Sequence, residues 1–220
     1  MTSGYAGIAV VHDVDLAVEP GEIVSLLGRN GMGKSTLLNS VFGTVSRLGG
    51  TVRVDGRTIP SMRPEAMSAA GASLLPEDRG TFPSLSISDN LELARRSYRP
   101  VIDPRDVFPL LTERSTQLAG TLSGGQQQQL GIARAVLAGS AYICVDELTQ
   151  GLQPSVVEDV FSMLRHLAES GIGILMVDQN PEVVAQWSDR VLVMEGGRIV
   201  LNRTVDAGIG EELNELLSLR

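Results

Sequence analysis

The stretch Gly28-Arg29-Asn30-Gly31-Met32-Gly33-Lys34-Ser35-Thr36 constrains this chain more than any other. It fits G-x-x-x-x-G-K-[ST] and directly follows the largely apolar run Ile23-Val24-Ser25-Leu26-Leu27. A buried strand, a glycine-rich loop and a helix from about Lys34, with Leu37, Leu38, Val41 and Phe42 on its apolar side, bring backbone N–H groups and the positive end of a helix dipole to one place. That is a phosphate site: Lys34 reaches terminal phosphates and the Ser35 hydroxyl is placed to ligand Mg²⁺. A glycine-rich turn with an incidental lysine would not require strand, spacing and helix to agree.

Upstream, Ile8, Val10, Val14, Leu16 and Val18 alternate with polar residues, and Glu19-Pro20-Gly21-Glu22 has turn chemistry, so residues 8–18 are expected to pair antiparallel with the strand feeding the loop. Tyr5 stands in a glycine-flanked segment where a ring can stack on a base or simply close a sheet edge. Downstream, Val52 and Val54, the turn Asp55-Gly56 and Thr58-Ile59 predict a hairpin. Residues 64–70 have helical character, Ala72-Ser73-Leu74-Leu75 is a buried strand, and Pro76-Glu77-Asp78-Arg79-Gly80 is a charged loop. Ser86, with Asp89 three residues on, predicts a helix N-terminus, and a second helical patch lies near Val107 to Leu111.

The segment Leu122-Ser123-Gly124-Gly125-Gln126 precedes a helix striped by Leu130, Ala133, Val136 and Leu137, so its glycines stand at a second anion-attracting helix terminus. Tyr142-Ile143-Cys144-Val145 is a buried strand ending in Asp146-Glu147, at the carboxyl edge where doubly wound sheets place ligands. Adjacent residues on an extended chain diverge, so Asp146 is assigned to the Mg²⁺ shell and Glu147 to polarising a water at the γ-phosphate. Apolar positions 156, 157, 160, 164 and 167 predict a helix over 155–169 with His166 on its solvated side. Ile172 to Val177 is a further buried strand, followed by Asp178-Gln179-Asn180-Pro181. A hairpin about Gly196-Gly197 and a short helix holding Leu213, Leu216 and Leu217 complete the pattern. The expected fold is α/β: a P-loop core with a mixed or parallel sheet and flanking helices, an N-terminal antiparallel β section and an inserted helical subdomain. Residues 1–78 and 136–220 form the core and 79–135 the insertion.

Composition narrows the partners. A net charge of −8, with no basic run longer than Arg95-Arg96, argues against nucleic acid. The single cysteine, Cys144, allows no internal disulfide and is expected to be a packing residue in a reducing compartment. No apolar stretch of membrane-spanning length and no leader pattern occur, so a soluble, unexported chain is expected to meet a membrane through a partner.

The order of these motifs resembles an ABC-transporter ATPase subunit over nearly the whole chain. Gly28 to Thr36 is similar to Walker A, Cys144-Val145-Asp146-Glu147 to the end of Walker B, and Leu122 to Gln126 to the LSGGQ signature. The stretches PEDRGTFPSLSISDNL, LAGTLSGGQQQQL, GLQPS and VDQNPEVVAQWSDRVLVMEGGRIV resemble subunits that energise uptake of branched-chain amino acids and related amides or urea. The resemblance implies ATP and Mg²⁺ as ligands, Tyr5 as the adenine-stacking ring, and Glu77 at the position where a glutamine usually contacts Mg²⁺. It also implies Gln179 at the switch position, usually histidine. Two chains, identical or related, would pair head to tail, with Ser123, Gly124, Gly125 and Gln126 of one closing over ATP held by Lys34 and Ser35 of the other. Permease subunits, and indirectly a solute-binding protein, would complete a complex on the cytoplasmic face of the inner or plasma membrane. Leu148 and Gln150 depart from the family pattern after Walker B. Glu77, Leu148 and Gln179 motivate the alternative of an ATP-dependent dimerising regulatory module with weak hydrolysis. The N-K-x-D segment of GTPases is absent.

Overall fold

Five parallel strands set the frame that positions the loop. The structure, a computed structural model, describes residues 1–96, 102–139, 141–147 and 154–218. The strands are β1 Thr2–Tyr5, β2 Ile8–Val11, β3 Ile23–Leu27, β4 Ser46–Gly49, β5 Val52–Val54, β6 Arg57–Ile59, β7 Ala72–Leu75, β8 Tyr142–Asp146, β9 Gly173–Asp178, β10 Arg190–Glu195 and β11 Arg198–Thr204. The helices are α1 Lys34–Val41, α2 Pro64–Ala69, α3 Ile87–Ala94, α4 Pro104–Val107, α5 Leu110–Glu113, α6 Gly124–Ala138, α7 Pro154–Glu169, α8 Pro181–Trp187 and α9 Ile209–Ser218.

The main sheet has the order β11-β10-β3-β9-β8-β7. Its strands run parallel from β10 to β7, with only β11 antiparallel at one edge. Every residue of β3 and of β9 is buried, the signature of strands covered on both faces. One large apolar cluster joins α6 and α7 to the sheet through Leu130, Val136, Phe161, Leu164 and Ile174, and Phe161 stacks on Trp187 with centroids 5.7 Å apart. A second cluster, with Leu37, Leu38, Val177 and Leu192, fixes α1 beneath the phosphate loop.

The expected antiparallel pairing of residues 8–18 with the loop-feeding strand is corrected. β2 ends at Val11 and pairs with β1, which in turn pairs with β4 in a separate three-stranded sheet. β3 lies instead between β10 and β9, parallel to both. The alternation beyond Val11 records one-sided burial rather than a ladder, since Val14, Leu16 and Val18 pack on the second cluster. Neither β1 nor β4 has a strong sequence signature, as each is four residues long and carries glycine. The β5–β6 hairpin occurs as expected, with Asp55 and Gly56 both at positive φ. The helical patch near Val107 to Leu111 is two one-turn helices, because Pro109 interrupts the first. Ser86 caps α3 by accepting the Asp89 N–H at 3.0 Å, and His166 is exposed.

Among the described residues no helix is long and apolar enough to cross a membrane. Cys144 is buried in β8, and desolvation pushes its thiol up to about 12. The native protein is therefore expected to resist iodoacetamide at pH 8 and to react stoichiometrically in denaturant; intact mass before and after unfolding checks this.

Candidate functional site

Because β3, β7, β8 and β9 are parallel, their carboxyl ends open on one edge. There they deliver the phosphate loop, Glu77, Asp146-Glu147 and Asp178-Gln179 side by side. The register opposes Leu27 to Asp178 and Val177 to Asp146, which puts the end of β9 between the loop and the two carboxylates of β8.

The loop is shaped by its glycines and by what stands behind it. Gly33, at φ 100°, turns the chain into α1 and offers that helix no side-chain cap. The first-turn N–H groups of Lys34, Ser35 and Thr36 thus have no intrahelical acceptor and face the loop's hollow. Behind the loop, the β10–β11 turn donates the Gly197 N–H to the Met32 carbonyl at 3.1 Å, and the Gly197 carbonyl accepts the His12 N–H at 2.8 Å. Gly197 has φ 76°, and a Cβ there would stand 2.0 Å from the Val10 carbonyl oxygen. Gly197→Ala is accordingly expected to displace this buttress, costing about 2 kcal/mol of stability and weakening ATP binding about tenfold. Gly196→Ala shares the positive φ with nothing within 4 Å of its added Cβ and serves as control. Nucleotide titration and thermal melts of both variants measure the difference.

Lys34 is 4% exposed, and its ammonium donates to the carbonyls of Gly28 at 2.7 Å and Arg29 at 3.0 Å. Burial lowers its pKa, and the carboxylates of Glu147, Asp146 and Asp178 oppose that shift. Asp146 is pushed the other way: burial raises its pKa, Glu147 and Glu77 add to the rise, and the Ser35 hydrogen bond and Lys34 counter it. Oδ1 of Asp146 is buried without a hydrogen-bond partner. An orphaned carboxylate oxygen beside the Ser35 hydroxyl fits a hard divalent cation with oxygen ligands. Among the described residues no three His, Cys, Asp or Glu side chains converge as an all-protein metal cage. Such a cation would draw its remaining ligands from phosphate and water.

Glu147 follows β8 at φ 50°, its N–H bonded to the Val177 carbonyl at 3.0 Å. The Gln179 amide donates to its Oε1 at 2.8 Å, so the two side chains assigned to hydrolysis from sequence meet across 32 residues. Glu77 lies within electrostatic reach of Asp146, in a loop bound to α6 by Arg79 on Gln127 and Arg134 on the Gly80 carbonyl. Tyr5 is 54% exposed at the end of β1, with its ring accessible. Ser123 and Gln126 close on each other as a capping box at the start of α6, and a Cβ on Gly125 would fall 2.6 Å from Val156 Cγ1. Leu148 and Gln150 lie outside the described residues. Sequence reasoning missed Asp178 and the Gly196-Gly197 buttress. Asp178 carries the same signal as Asp146, a carboxylate ending a buried strand; the buttress carries none, being a contact between segments over 160 residues apart.

A sequence profile described as ABC transporter matches residues 11–150. The chain is 34% identical over 206 residues to the high-affinity branched-chain amino acid transport ATP-binding protein BraG of Pseudomonas aeruginosa, covering 91% of this chain and 88% of that protein. It is 32% identical to the lipopolysaccharide export system ATP-binding protein LptB of Escherichia coli, covering 93% and 88%. A solved structure, the ATP-binding subunit of an ABC transporter, superposes with TM-score 0.83 over 99% of this chain and 96% of that one, at 23% identity. Fold and profile agree with a sheet edge that gathers a phosphate loop, an orphaned carboxylate oxygen and a bonded glutamate: the chain belongs to the ABC transporter family, as an ATP-hydrolysing ATP-binding subunit.

Proposed function

We propose that this chain binds Mg²⁺–ATP on the loop Gly28–Thr36 and hydrolyses it to energise uptake of branched-chain amino acids or related small polar solutes. The observation that carries the hydrolytic part is the Gln179–Glu147 hydrogen bond beside Lys34 and Asp146. Lys34 meets the terminal phosphates, the loop and first-turn N–H groups of α1 cradle them, and Tyr5 stacks on the base. Ser35 and Asp146 would hold Mg²⁺, Glu77 would add a further carboxylate nearby, and the ion would neutralise phosphate charge there. Glu147 orients the attacking water and accepts its proton, with Gln179 fixing the carboxylate.

Two such chains, or one and a related ATPase subunit, close two sites between them, each taking Ser123, Gly124, Gly125 and Gln126 from the opposite chain. The capping box engages the N–H groups of Ser123 and Gln126 and leaves those of Gly124 and Gly125 outside it, at the positive end of α6, where a partner's phosphate would bind. ATP joins the pair and hydrolysis releases it, a two-state cycle that permease subunits follow from the cytoplasmic side of the membrane. The solute class rests on the sequence resemblance and on BraG; LptB, at nearly the same identity, carries a different cargo.

The test is steady-state ATP turnover of the purified chain with Mg²⁺ and with a chelator, alone and with its permease, followed by uptake of leucine, urea and ribose into vesicles holding the complex. Chelator-sensitive turnover with leucine or urea uptake supports the proposal. Nucleotide-dependent dimerisation without turnover beside the permease supports the regulatory alternative, for which the specific observation is Glu77, a carboxylate that adds negative charge beside Asp146. Ribose uptake would overturn the solute class alone.

A further inference from the structure

A buried carboxylate that the hydrolytic scheme does not use stands at the end of β9. Asp178 is 2% exposed, in a strand whose other five residues are Gly, Ile, Leu, Met and Val, all buried. A charge in such a strand is costly unless its oxygens are bonded. Its Oδ1 accepts the Gln179 N–H at 2.7 Å and the Asn180 N–H at 2.9 Å, and the Asn180 side chain then accepts the N–H groups of Glu182 and Val183 at the start of α8. Two side-chain acceptors in series thus fix the backbone from 178 to 183. The Gln179 side chain leaves the chain between them and meets Glu147 Oε1 at 2.8 Å. On its other side Asp178 is opposite Leu27, the residue that enters the phosphate loop.

We propose that Asp178 is a positioning residue for hydrolysis: by holding two successive N–H groups on one oxygen it aims the Gln179 amide at Glu147. The proposal rests on the role given above to Glu147. Without Asp178 Oδ1 both amides must find other acceptors, the turn relaxes, and Gln179 loses its alignment. Asparagine at 178 keeps an oxygen in the same place and preserves the turn. Alanine removes it.

The experiment compares Asp178→Ala, Asp178→Asn, Gln179→Ala and the Asp178→Ala/Gln179→Ala double variant in the full chain. ATP turnover and the side-chain amide resonance of Gln179, identified by its loss in Gln179→Ala, are both read. Asp178→Ala is expected to lower kcat about 100-fold with KM for ATP within about threefold, because alignment and not ground-state binding is lost. Asp178→Asn should stay within about fivefold of the parent, and the double variant should be no worse than the poorer single one. The Gln179 resonance should be slow to exchange in the parent and in Asp178→Asn, and fast in Asp178→Ala. Parental kcat in Asp178→Ala, equal losses in alanine and asparagine variants, or losses that multiply would overturn the proposal. Should the alanine variant not fold, Asp178→Leu, close to aspartate in shape and without an acceptor oxygen, is read the same two ways. A parent without turnover would defeat the role of Glu147, while the resonance still decides whether Asp178 holds Gln179.

Discussion

Replacing Glu147 by glutamine will lower ATP turnover of the purified chain by about 10²–10⁴-fold and leave nucleotide binding intact. The substitution is nearly isosteric, and a glutamine oxygen can still accept the Gln179 amide that now bonds Oε1 at 2.8 Å. The loop and the Glu147 backbone bond to Val177 are untouched. What disappears is the charge that attracts a water proton. A carboxylate beside Asp146 and Lys34 is also removed, so the bound triphosphate meets one negative charge fewer. ATP affinity should therefore hold or rise while kcat collapses, and the dimer should persist in ATP. Single-turnover hydrolysis and sedimentation in ATP measure the two halves. Turnover at the parental rate would remove Glu147 from the chemistry.

Replacing Lys34 by methionine will weaken ATP binding about 100-fold, corresponding to roughly 3 kcal/mol of charge-assisted hydrogen bonding. Methionine keeps the volume of the buried stem and removes the ammonium. The carbonyls of Gly28 and Arg29 lose their donor, and Asp146, Glu147 and Asp178 lose the cation they surround. Truncating one side of a buried charge cluster costs more than the cluster contributed, because the remaining charges stay desolvated. Lys34 is also the only lysine in the chain, so amine-directed acylation above neutral pH reports this site and the N-terminus alone. ATP should suppress acylation of Lys34 and leave the N-terminal amine as a reference. Equilibrium titration with a fluorescent nucleotide gives the affinity, and peptide mass analysis gives the protection.

The parts of the fold legible in sequence are those where one physical signal dominates locally. β3, β8 and β9 lie inside the sheet and carry largely apolar runs, interrupted in β3 by Ser25 and ended in β8 and β9 by an aspartate. Ser86 and Ser123 begin helices with a partner residue three positions on, and Asp55-Gly56 supplies the left-handed pair a two-residue hairpin turn needs. β1, β2 and β4 resisted the same treatment. β2 is apolar, but its partner is not marked locally, because β1 and β4 are four residues each with glycine and have little intrinsic strand preference.

By itself the sequence determined the chemical inventory of this protein. It carries a glycine-rich loop of phosphate-site pattern, a lysine and a hydroxyl on that loop, two carboxylates ending one strand and a glutamine after another, because spacing within a few residues fixes which groups leave an element together. Only the tertiary structure decided their relations. Parallel ordering of β3, β9, β8 and β7 brings residues 28–35, 77, 146–147 and 178–179 to a single edge, and the bond between Gln179 and Glu147 exists because β9 lies beside β8. The same ordering buries Asp178 between the loop and Glu147, and folds the Gly196-Gly197 turn against Met32. Such contacts depend on which strand becomes whose neighbour, a choice settled by burying both faces of the sheet at once and not by any local run of residues.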